Sequence, residues 1–96
     1  MTKRLRLRAA RHGIAVRFTA PRDAAVVRVR LLRLRGGRAS GRPLASTVVA
    51  LQRAGRQTLV LRARHVTRGL YAVEVAPGLS AHALGRATTV RMRIVR

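Results

Sequence analysis

Apolar and polar residues alternate along most of this chain with a period of two. Arg4-Leu5-Arg6-Leu7-Arg8 alternates strictly, as do Ile14-Ala15-Val16-Arg17-Phe18-Thr19, Val27-Arg28-Val29-Arg30-Leu31 and Val90-Arg91-Met92-Arg93-Ile94. Leu59-Val60-Leu61-Arg62 and Tyr71-Ala72-Val73-Glu74-Val75 follow the pattern more loosely. Successive side chains of a strand point to opposite faces, so the pattern reads as half-buried antiparallel strands. A helix needs apolar residues three and four apart. Only Ala45 to Ala54 offers that, and its β-branched Thr47-Val48-Val49 run favours strand.

Turn chemistry divides the pattern. Ala9 to Gly13 ends the first strand, and Ala20-Pro21-Arg22-Asp23 ends the second. Gly36 to Pro43 reads as a flexible hairpin loop, Ala54-Gly55 as a tight hairpin, and His65 to Gly69 and Pro77 to Arg86 as connections. Seven strands result, over about 3–8, 13–19, 25–35, 44–52, 57–63, 70–76 and 88–95, with essentially no helix. No linker separates them, so residues 1–96 read as one domain. In the third strand the apolar phase slips by one residue at Leu31-Leu32. Continuing it unbroken would turn Arg33 and Arg35 inward, so a β-bulge is expected there. The expected core is Leu5, Leu7, Ile14, Val16, Phe18, Val27, Val29 and Leu31 from the first half. Leu59, Leu61, Tyr71, Val73, Val75, Val90, Met92 and Ile94 complete it from the second.

Composition adds charge to this picture. The chain is 48% hydrophobic, enough for a core of its own. Lys and Arg number 22 against 2 acids, a formal charge of +20, and Lys3 is the only lysine. With no cysteine there is no disulfide, thiolate nucleophile or cysteine zinc site. No apolar run approaches the roughly 18 residues of a membrane span, and Met1 to His12 lacks the apolar stretch of a signal peptide. Asp23 and Glu74 are the only carboxylates, so paired-carboxylate and most metal chemistries lack parts and a non-catalytic protein is expected.

Seven short strands with turn signals every 8–12 residues suggest an immunoglobulin-like sandwich. Gly69-Leu70-Tyr71-Ala72-Val73-Glu74-Val75 resembles the penultimate strand of fibronectin type III and related immunoglobulin-like domains. There a tyrosine corner packs its ring inward while the hydroxyl bonds backbone a few residues upstream. The resemblance implies that Gly69 and Tyr71 form such a corner, with the acceptor around Arg64 to Thr67. Val66-Thr67-Arg68-Gly69-Leu70-Tyr71 is similar to the L-x-P-G-x-Y motif of Arg-rich, immunoglobulin-like domains at the C-termini of bacterial extracellular proteins, with Arg68 where proline is usual. The final strand, Ala87 to Val95, and the segment Val16 to Ala24 resemble the same domains. The resemblance implies a structural or adhesive module, extracellular or at the cell surface, with neighbouring domains in a longer chain.

Arginines are the candidate functional residues. Arg17, Arg28, Arg30, Arg91 and Arg93 stand at outward parity on expected strands, as do Arg4, Arg6 and Arg8. Neighbouring strands would merge them into a positive surface for polyanions: cell-wall polymers, sulfated glycans or nucleic acid. The same residues can also cover apolar surface with their stems and discourage edge-to-edge aggregation. A small intracellular nucleic-acid-binding protein is the alternative function. Against it, Phe18 and Tyr71 are the only aromatics, both expected in the core, so no base-stacking platform is in view. His12, His65 and His82 fall in three separate connections, read as solvated rather than metal-binding, and no cofactor is implied. No G-x-S-x-G turn supports a nucleophilic serine, and Gly36 to Gly41 lacks the ending of a phosphate loop. Glu74, outward on its strand, is expected to meet a cross-strand arginine.

Overall fold

A computed structural model describes residues 3–96. Apart from one short helix the fold is all-β. The elements run β1 (Lys3–Arg6), α1 (Leu7–His12), β2 (Ile14–Ala20), β3 (Val26–Arg35), β4 (Arg38–Ala50), β5 (Gly55–Leu61), β6 (Gly69–Ser80), β7 (Ala83–Leu84) and β8 (Thr88–Val95). One sheet has the order β1-β8-β6-β3-β4, with β7 appended to β6, and the other contains only β2 and β5. All pairings are antiparallel except β1 with β8.

The sheets face each other across one core. Val27, Val29 and Leu31 of β3, Tyr71, Val73 and Val75 of β6, and Met92 and Ile94 of β8 supply its large-sheet side. Ile14, Val16 and Leu61 supply the small-sheet side, with Phe18 and Leu59 half-buried against it. Alternation alone sorts these residues inward: each lies two positions from the next on its strand. Ala10, Ala63 and Val66 are also buried in the core. Their short or loop-borne side chains carry no period-two signal, so the sequence pattern passed over them.

Several sequence expectations are corrected. The first strand stops at Arg6, and Leu7–His12 forms a helix instead of strand and turn. Leu7 and Ala10, three apart, share a helix face, and Ala10 is fully buried. Six residues are too few to be helical on propensity alone, so this burial is what holds the turn. Gly36-Gly37 is not a loose loop. Both glycines have positive φ, 60° and 79°, as a two-residue type I′ hairpin demands, and Arg35 pairs directly with Arg38. Ala54-Gly55 is not a hairpin, because β4 and β5 belong to different sheets. Pro77 to Arg86 is largely a β6–β7 hairpin rather than an open connection. Val90, expected in the core, is 45% exposed, because the two-stranded sheet does not extend over its part of β8.

The register shift expected at Leu31-Leu32 occurs there but belongs to the neighbouring strand. Leu31 pairs with Ala45 and Arg33 with Ser40, so Leu32 alone on β3 stands opposite Gly41 to Leu44, and the extra residues lie on β4. Pro43 falls in this irregularity on an edge strand, where its missing N–H costs no ladder bond. Against β6, β3 runs without a shift from Val26 to Arg33. Arg33 therefore does turn inward, but at the end of the core. Its guanidinium lies 5.8 Å from the centroid of the Tyr71 ring, and Nη1 donates to Thr67 Oγ1 at 3.3 Å.

Beneath Arg33, Tyr71 is fully buried. Its hydroxyl donates to Thr67 O at 2.9 Å and accepts from Thr67 N–H at 3.2 Å. The ring thereby ties the β5–β6 crossing to the centre of the large sheet. Gly69 opens β6 with φ +150° beside the Tyr71 ring and the Arg33 guanidinium. We expect Tyr71→Phe to retain the fold and lose about 1–2 kcal/mol, one to two net hydrogen bonds, measured as a lower denaturant midpoint at unchanged slope. An unchanged midpoint would reduce Tyr71 to ring packing.

Candidate functional site

Parity decides which arginines share a face. Val27, Val29 and Leu31 point into the core, so Arg28 and Arg30 point out of the large sheet. Met92 and Ile94 point in, so Arg91 and Arg93 point out. Leu5 packs on the core, so Arg4 and Arg6 point out as well. Ladder partners stand side by side, which aligns these residues across the strands. Arg28 lies between Val48 and Ala76, Arg30 between Ser46 and Glu74, and Glu74 beside Thr89. Ala72 lies between Leu32 and Arg91, and Arg93 between Leu70 and Arg4. One continuous surface thus carries Arg4, Arg6, Arg28, Arg30, Arg91 and Arg93.

Arg17 does not join them. It stands on the outer side of the small sheet, paired with Thr58, and faces away from the large-sheet arginines across the core. Nothing in its local sequence distinguishes it from Arg28, because which sheet a strand joins is settled by long-range pairing.

Glu74 is the carboxylate of the arginine face. Arg30 donates to Glu74 Oε1 through Nε at 2.9 Å and through Nη2, and Arg28 Nη2 lies 3.4 Å from the same oxygen. These three side chains are between 18% and 30% exposed. Arg28 Nε is buried with no hydrogen-bond partner among the described residues. Ala72 and Ala76 are buried although they face outward. Their ladder neighbours Arg28, Leu32 and Arg91 are long enough to lie across them, so arginine stems form part of the covering of this face. The other four arginines form no ion pair among the described residues.

A face of this kind can hold anions at fixed spacing but offers little else. Residues two apart along a strand are about 6.5–7 Å apart and adjacent strands about 4.8 Å, so guanidinium groups form a two-dimensional lattice. Guanidinium forks match phosphate, sulfate and carboxylate oxygens. Among the described residues no aromatic ring lies on the face: Tyr71 points into the core and Phe18 belongs to the small sheet. Among the same residues no group of three His, Cys, Asp or Glu could hold a metal. His12 ends α1, His65 lies in the β5–β6 crossing, and His82 lies between β6 and β7.

Glu74→Gln tests the electrostatics. It removes the one compensating charge between two arginines, so stability should fall by about 0.5–1 kcal/mol at low salt, and the loss should shrink as salt screens the pair. Affinity for heparin should rise at the same salt. A loss of stability that is independent of salt would mean that Glu74 acts by shape and not charge.

In comparisons with known proteins, no family model, no curated protein and no solved structure matches this chain significantly.

Proposed function

We propose that the chain is a non-catalytic immunoglobulin-like, fibronectin type III-like module of a longer exported bacterial protein, and that its arginine face binds extracellular polyanions. The six-arginine face, with a single carboxylate among the side chains, carries the binding half of this reading. The strand order supports the module half. An immunoglobulin-like arrangement places its second and fifth strands in one sheet and its third, sixth and seventh in the other, with further strands at the edges. Here β2 and β5 pair alone, while β3, β6 and β8 sit together between β4 and β1. The Tyr71–Thr67 contact at the β5–β6 crossing has the form of a tyrosine corner.

Binding in this reading comes from phosphate, sulfate or carboxylate groups engaging guanidinium forks and releasing counterions. It discriminates charge density and spacing, not base sequence, because the face has neither a base-stacking ring nor a groove-reading element. The same lack of an exposed aromatic on this face weighs against a dedicated nucleic-acid role.

A salt titration tests the proposal. Binding to short DNA, RNA and heparin should weaken by orders of magnitude between low and physiological salt, with little preference among the three. In a variant with Arg4, Arg6, Arg91 and Arg93 all changed to Gln, the slope against log salt should fall by about 0.9 for each phosphate no longer engaged. Arg28 and Arg30 stay in place so that Glu74 keeps its partners. Arg17→Gln, on the opposite sheet, should leave the slope nearly unchanged. Submicromolar binding to one nucleic acid at physiological salt, with heparin a poor competitor, would overturn this reading in favour of nucleic-acid recognition.

A further inference from the structure

The two sheets are unequal, and this leaves part of the core open along one side. A groove of about 630 Å³ runs there between β2 and β8. Its floor is the inward side of the large sheet: Val73 and Val75 of β6, and Val90 and Met92 of β8. Its wall is β2, which contributes the consecutive residues Ala15 to Thr19, Phe18 among them. Consecutive residues point to opposite faces of a strand. Both sets can line one groove only if the strand meets it edge-on.

Among the described residues β2 pairs with β5 alone, so its other edge presents backbone donors and acceptors with no strand beside them. A strand edge without a partner thus borders an apolar floor over about five residues, the geometry that an added strand satisfies.

Charge selects the occupant. Lys3, Arg17 and Arg86 line the groove, and no carboxylate does. A second copy of the chain brings a charge of +20 and strands that alternate apolar residues with arginine, so self-association sets like charges against this rim. We propose that the groove takes an extended segment of a partner protein in which apolar residues alternate with acidic ones, added as a strand to the open edge of β2 over β6 and β8. Its backbone pairs with that edge, its apolar side chains cover Val73, Val75, Val90 and Met92, and its carboxylates meet the cationic rim. This surface is distinct from the arginine face, and its occupant does not depend on what that face binds.

The test uses an acetylated, amidated and fluorescent short peptide that alternates valine with aspartate, with binding followed by anisotropy. Three relatives accompany it: one with glycine for valine, one with a central proline, and one with lysine for aspartate. The valine–aspartate peptide should bind, and each relative should bind about tenfold or more weakly, for want of apolar burial, ladder bonds or charge complementarity respectively. Amide exchange within Ala15 to Thr19 should slow on binding. Val90→Gln, at an exposed position, should keep the melting midpoint, bind heparin as before, and weaken valine–aspartate peptide binding by about tenfold. The Arg91→Gln, Arg93→Gln double variant should lose heparin affinity and keep the peptide. Equal binding of the glycine relative, or peptide binding abolished with Arg91 and Arg93 but not with Val90, would overturn the groove assignment while leaving the polyanion reading standing. Concentration-dependent dimers in sedimentation, abolished by Val90→Gln, would overturn it in favour of a second copy.

Discussion

The ladder between β3 and β6 is the element on which both the core and the charged face depend. Its inward side joins Val27, Val29 and Leu31 to Pro77, Val75 and Val73, and continues to Tyr71 opposite Arg33. Its outward side joins Arg28 to Ala76 and Arg30 to Glu74. Because the side-chain period of a strand is two, a slip of one residue would exchange these sides, burying arginine and exposing valine. Hydrophobic burial therefore sets the register, and the register in turn delivers Glu74 to two guanidiniums. The ion pairs are a consequence of this arrangement more than its cause, since partly exposed pairs contribute little.

Tyr71 anchors one end of this ladder. Its hydroxyl satisfies both backbone groups of Thr67, its ring fills the core, and Arg33 covers the ring. An arginine at inward parity is thereby accommodated without an isolated buried charge. The guanidinium spreads over a π face and reaches Thr67 Oγ1, while β4 absorbs the register change that β3 avoids. Keeping β3 straight preserves the central ladder, and a deviation on an edge strand disturbs fewer hydrogen bonds.

Six strands in one sheet and two in the other divide the surface into regions of different chemistry. The broad outer face of the large sheet has room for six aligned arginines. The narrow sheet covers β3 and β6 but leaves β8 partly bare, and Val90 is exposed for that reason. The charged face and the apolar groove are thus products of one asymmetry, reached from opposite sides of the same strand, with Arg91 outward and Val90 and Met92 inward.

Alternation in the sequence determined most strands and which of their residues point inward, because both follow from a local period that tertiary contacts rarely override. It determined that Arg28, Arg30, Arg91 and Arg93 stand outward, and that Glu74 stands among cations. Tertiary structure decided what no local period carries. Sheet membership separated Arg17 from the other arginines, although its local pattern matches theirs. Burial of Ala10 turned Leu7–His12 into a helix where alternation read a strand and a turn, because a core contact outweighs a weak local preference over so few residues. The width of the second sheet exposed Val90, whose strand pattern is indistinguishable from that of Met92. The physical reason is the same in each case: a strand's own sequence specifies its two faces, but what covers each face is supplied by residues distant in the chain.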